Sequence, residues 1–90
     1  MEENYRFSSE AKLELHRALC YFKLMNKDGM FMDELISQLR LITSMPTAFQ
    51  IKYKNIRVLG FNKFNYSIHY VIKEGGNIII YHIFNQKQDF

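Results

Sequence analysis

Tryptophan is absent from the 90-residue chain, cysteine and proline occur once each, and only four residues are glycine. Each scarcity closes off a class of protein. The single cysteine, Cys20, rules out an internal disulfide and any cysteine-based zinc site. As a lone thiol in a helical pattern it is expected to be a small core or boundary residue. No Gly-rich loop joins a strand to a helix, because Gly75-Gly76 sits in a hairpin turn, so a phosphate cradle is excluded. His16, His69 and His82 show no His-x-x-x-His spacing, and no metal or cofactor is expected. No apolar run is long enough to span a bilayer, and no basic start leads into an apolar stretch with a cleavage site. A cytoplasmic protein is therefore expected.

What is present is apolar and unevenly charged. Hydrophobic residues make up 48% of the chain and aromatics 16%, enough for a true core in one domain over residues 1–90. The net charge is +3, but residues 1–50 carry six Lys or Arg against seven Asp or Glu, whereas residues 51–90 carry six against two. A basic second half suits an acidic protein partner or a nucleic-acid backbone.

The strongest local signal is the stretch 64–84. Two apolar runs, Tyr66–Ile72 and Ile78–Phe84, flank Lys73-Glu74-Gly75-Gly76-Asn77, which predicts a β-hairpin. In the first run Tyr66, Ile68, Tyr70 and Ile72 alternate with Ser67, His69, Val71 and Lys73, which predicts one buried face and one largely wet face. The second run has almost no polar break and reads as a central strand, with His82 as a hydrogen-bonded core histidine. Tyr66, Tyr70 and Tyr81 are read as core residues whose hydroxyls emerge at the sheet edge.

Upstream, Tyr5-Arg6-Phe7 predicts a short edge strand, and Ser8 or Ser9 a helix cap with Glu10 in the first turn. Ala11, Leu15, Ala18, Phe22 and Met25 recur at helical spacing, as do Phe31, Leu35, Leu39 and Ile42 beyond a break at Asn26-Lys27-Asp28-Gly29. Pro46 ends the second helix. Ile51–Tyr53 and Ile56–Leu59 predict short strands. The fold class is α+β: a short N-terminal strand, then an antiparallel two-helix hairpin packed on a mostly antiparallel β-sheet. The core is expected to hold Leu15, Phe22, Leu35, Leu39, Ile68, Tyr70, Ile80 and Phe84.

The order of these pieces resembles the RelE/ParE superfamily, toxins of type II toxin–antitoxin modules. The residues that carry the resemblance are the strand ending in Ser8, the break at Gly29, Phe31-Met32-Asp33-Glu34-Leu35, Pro46 and the stretch from Tyr53 through Arg57 to Phe61. The segment Phe64-Asn65-Tyr66-Ser67-Ile68-His69-Tyr70 is similar to the F-P-Y-x-I-x-Y of the ParE-like branch, the plasmid stabilisation proteins, with Asn65 in the proline's place. The RelE-type relatives cut mRNA on the ribosome with basic and aromatic side chains of the sheet and C-terminus. Here Ser67 stands where an arginine would be and Asn85 where a histidine would be. The closing H-x-R-R-x-P becomes Asn85-Gln86-Lys87-Gln88-Asp89-Phe90, which argues against a nuclease. The resemblance thus implies a ParE-like toxin that inhibits DNA gyrase by binding, is neutralised by an acidic antitoxin in a hetero-oligomer, and uses no catalytic residue. A ribosome-dependent endoribonuclease and a decayed toxin that only binds its antitoxin are the alternatives. Lys52, Lys54, Arg57, Lys63, Tyr66, Asn85 and Lys87 are the residues expected to meet target or antitoxin.

Overall fold

The computed structural model describes residues 5–86. In chain order it contains β1 (Tyr5–Phe7), α1 (Ser9–Lys23), α2 (Asp28–Ser44), β2 (Ile51–Tyr53), β3 (Ile56–Gly60), β4 (Tyr66–Ile72) and β5 (Ile78–Asn85). The strands form a five-stranded sheet in the order β1-β5-β4-β3-β2. β1 runs parallel to β5 and every other neighbouring pair is antiparallel. The hairpin closes because Gly75 and Gly76 adopt φ of 80° and 84°, a region side-chain-bearing residues enter only at a cost. The Lys73 N–H then donates to the Asn77 carbonyl at 2.7 Å.

Ser8 caps α1, its hydroxyl oxygen accepting the Ala11 N–H at 3.0 Å and its O–H donating to the Tyr81 carbonyl at 2.8 Å. One side chain therefore starts the helix and fixes it to β5. The predicted stripe of α2 is buried intact at Phe31, Leu35, Leu39 and Ile42. On α1 the stripe is narrower, with Ala11, Ala18 and Phe22 buried and Leu15 only partly so. Met25 lies beyond the helix and is exposed, as is Cys20, which is neither core nor boundary. The helical pair covers one face of the sheet and meets Ile68, Tyr70, Ile78, Ile80 and Ile83. Phe22 and Phe31 stack with ring centroids 5.0 Å apart, and Phe61, Phe64 and Tyr66 pack around Phe31. No helix among the described residues is long and apolar enough to cross a membrane.

Three expectations about β4 and β5 are corrected. The second face of β4 is not wet: Ser67 is 1% exposed, His69 0% and Val71 8%. β4 is the middle strand, so longer side chains of its neighbours fold over its short ones. Val71 packs with Ile56, Ile79 and Tyr81, and the Phe84 ring stands edge-on to His69 at 4.9 Å. Phe84 is not in the helix-side core. The β4–β5 register shifts between the His69↔His82 and Tyr70↔Ile80 pairs, leaving Tyr81 as an extra residue. One inserted residue exchanges the faces of everything after it, so Ile83 enters the core and Phe84 turns outward. The same bulge frees His82 from the interior, and its side chain is 32% exposed. The buried histidine of the pair is His69.

Candidate interaction surface

The residues expected at the surface divide between the two ends of the sheet. β3 and β4 are antiparallel with Arg57 opposite Tyr70, so the Lys54-Asn55 turn lies near the hairpin turn with Lys73. Lys63, Tyr66 and Asn85 lie at the other end, where Tyr66 and Asn85 are cross-strand partners. About 20 Å of strand, six steps at ~3.4 Å, separates the two groups. Lys87 falls outside the described residues.

At the first end Lys52 and Lys54 are exposed, and Lys54 sits at the turn with a left-handed φ of 49°. Arg57, by contrast, faces inward. Its Nη1 donates to the carbonyls of Phe49 at 2.6 Å and Thr47 at 3.3 Å, while the Tyr70 hydroxyl donates to the Pro46 carbonyl at 2.7 Å. Together they fasten the segment joining α2 to β2. Burial raises the Tyr70 hydroxyl pKa, partly offset by the Arg57 charge.

At the second end two residues of α2 that face the sheet organise the β3–β4 turn. The buried Glu34 carboxylate accepts the backbone N–H groups of Asn62 and Lys63, the latter at 2.9 Å, and the Gln38 amide donates to the Gly60 carbonyl at 2.8 Å. Sequence reasoning passed over both, although Glu34 and Gln38 fall within the Phe31–Leu35–Leu39 stripe, where a polar residue signals a specific buried partner. Lys63, which is exposed, is thereby held at the rim of a groove between α2 and this turn.

Across this end runs a second groove of about 180 Å³, lined by Glu14, Arg17, Ala18, Tyr66, Ile83, Phe84 and Asn85. Burial, and then the nearby Tyr21, push the Tyr66 hydroxyl pKa up, while a hydrogen bond with Asn85 pulls it back. Glu14 closes the groove on one side, accepting the Ile83 N–H at 2.9 Å and lying 3.2 Å from Nδ1 of His82. The His82 ring stacks on Phe84 at 4.4 Å with planes 12° apart. Beside the groove, the last turn of α1, the connection after it and the first turn of α2 expose Tyr21, Leu24, Met25 and Met30.

Ser67, His69 and Tyr53 form a chain of hydrogen bonds, with Ser67 Oγ 3.1 Å from Nε2 and the Tyr53 hydroxyl 3.0 Å from Nδ1. The residue types suit nucleophile, base and orienting group, but Ser67 and His69 are closed to solvent, so no substrate atom reaches them. Burial, and secondarily His82, lowers the His69 pKa to about 4, which keeps the ring neutral near pH 7. The chain satisfies buried polar atoms and orders the outer face. Among the described residues no group of three or more His, Cys, Asp or Glu could hold a metal ion.

No family model matches the chain. No curated protein matches it either. Among solved structures, a chain of the chromosomal ParDE TA (toxin–antitoxin) system from P. aeruginosa superposes with a TM-score of 0.76 at 15% identity, over 92% of this chain and 95% of that one. Two helices on a five-stranded mixed sheet are thus a ParE-like fold, the fold the sequence resemblance implies.

Proposed function

We propose that this chain is the toxin of a type II toxin–antitoxin module, neutralised by an acidic antitoxin and acting by binding DNA gyrase. The observation that carries the reading is the ParE-like fold, matched over 92% of the chain to a ParDE TA system. Two further features support binding over catalysis. In the hydrogen-bonded chain Ser67–His69–Tyr53, the Ser67 hydroxyl and the His69 ring are buried and bonded to each other. At the groove, Tyr66 meets an asparagine, a side chain with no proton to exchange near pH 7.

The antitoxin contributes an acidic segment that folds on contact, with apolar anchors on the turn between the helices and carboxylates toward Lys52, Lys54 and Lys63. Charge speeds the encounter, and the buried anchors set the lifetime of the complex. The test is a supercoiling assay with purified gyrase. Added chain is expected to stop supercoiling at stoichiometric amounts, and the product of an adjacent acidic reading frame to restore it. Uninhibited gyrase together with mRNA cleaved in a translating extract would replace this reading with the ribosome-dependent nuclease. Neither effect, with tight antitoxin binding retained, would leave a decayed toxin.

A further inference from the structure

The groove between α2 and the β3–β4 turn has a volume of about 240 Å³ and is lined on the helix side by Met30, Asp33, Glu34, Ser37 and Gln38. Two of these side chains are buried and short of a partner: Glu34 is 8% exposed and Gln38 3%. The Glu34 carboxylate takes the backbone N–H groups of Asn62 and Lys63, but among the described residues no cationic side chain pairs with it. A carboxylate withdrawn from water is ordinarily matched by a cation. The Gln38 amide has a fixed orientation, because its Nε2 donates to the Gly60 carbonyl, which can only accept. Its Oε1 then has no donor, yet every side-chain nitrogen or oxygen closed to solvent among the described residues has a partner. Oε1 is therefore open to solvent, and the groove that Gln38 lines is where it opens.

The two unmet demands have one answer. A carboxylate without a cation and an amide oxygen without a donor call for a positive group that carries several N–H bonds. Asp33, exposed on the rim, adds a second carboxylate, and the Ser37 hydroxyl a further acceptor. Lys63 is the one cation lining the groove, and its exposed side chain pairs with neither carboxylate. A guanidinium suits this set better than an ammonium. Its planar fork offers five N–H groups and can meet a carboxylate and an amide oxygen together.

The surroundings say what carries the guanidinium. At 3.6 residues per turn, Met30, Ser37 and Leu41 fall within an arc of about 40° on α2. Met30 is 51% exposed and Leu41 39%, so one apolar side chain lies to each side of Ser37 along the helix. These give footing to the methylene stem of an arginine and to the chain that bears it, which a free cation would leave unused. We infer that the groove is the docking site for an arginine side chain presented by a partner protein. Nothing in this depends on the toxin reading.

The experiment titrates N-acetyl-arginine amide into the isotope-labelled chain and follows it by NMR. Saturable shifts are expected at the Gln38 side-chain amide and at the Asn62 and Lys63 backbone N–H groups. The lysine analogue is expected to bind about tenfold more weakly, and the citrulline analogue, of the same shape but neutral, to give no saturable shift. Asp33→Asn changes an exposed residue and is expected to weaken binding by roughly three- to tenfold. Ser37→Lys sets an ammonium one turn from both carboxylates, and is expected to block the probe while raising the melting temperature. No saturable shift, a citrulline analogue that matches arginine, or an affinity untouched by Asp33→Asn would each overturn the proposal. So would binding seen only in Lys63→Ser, which would make the groove's own lysine its cation.

Discussion

The two faces of the sheet are equally dry at β4 and are made so by different means. On the helix side, Ile68, Tyr70, Ile80 and Ile83 meet side chains carried by α1 and α2, and the contact is almost wholly apolar. On the outer side no helix lies over Ser67, His69 and Val71. They are closed by Tyr53, Phe84 and Tyr81 of the flanking strands and by hydrogen bonds that join Ser67, His69 and Tyr53. The first face is held by burial and the second by a chain of hydrogen bonds through a buried imidazole. Hydrophobic burial is insensitive to pH, whereas a buried imidazole is not, and the two faces should fail under different conditions.

The largest expected effect is on the helix face. Ile68→Ala, at a site with no exposure, should cost about 2–5 kcal/mol in denaturant unfolding. Ser67→Ala, next in sequence but on the other face, should cost only about 1–2 kcal/mol, the loss of one buried hydrogen bond. Equal losses would erase the contrast.

The outer face should be the acid-sensitive one. His69 titrates near 4 in the fold and near 6.5 when unfolded, so the unfolded chain takes up a proton that the native chain refuses. The stabilisation is complete above about pH 6.5 and declines as the pH falls toward 4, by on the order of 2–3 kcal/mol. His69→Phe should flatten the melting-temperature profile over that window; an unchanged slope would place the titration elsewhere.

Arg57 sharpens the comparison between the ends of the sheet. Arg57→Ser should lower stability by about 1–3 kcal/mol, because it releases the segment joining α2 to β2. Lys52→Ser with Lys54→Ser should leave stability alone while slowing antitoxin association and flattening its salt dependence. The smallest change should follow His82→Gln, whose ring is partly exposed: under ~1 kcal/mol, read as a small shift in melting temperature. A loss as large as that for His69 would return His82 to the core.

The helix face was legible because helical and strand periodicities both mark it. Phe31, Leu35, Leu39, Ile42, Ile68 and Tyr70 were placed correctly from spacing, and residue type marked the glycine turn and narrowed the helix cap to Ser8 or Ser9, of which Ser8 is the cap. The outer face was not, for two physical reasons. Alternation reports which side chains are polar, and a polar side chain in a middle strand can be buried once it finds partners, as His69 does. An added residue at Tyr81 then exchanges the faces of everything after it, and nothing in the run Ile78–Phe84, whose only polar member is His82, marks where it falls. Of the surface residues, the exposure of Lys52, Lys54 and Lys63 was legible from charge. The inward turn of Arg57 was not, because its partners are backbone carbonyls that no side-chain pattern announces.

The reading of this chain as a binding toxin without chemistry is tested most directly in cells that express it without its antitoxin, with plasmid topology and mRNA followed together. Loss of negative supercoiling with full-length, ribosome-bound mRNA is the expected result. Unchanged topology with mRNA cut at the ribosomal A-site would contradict it.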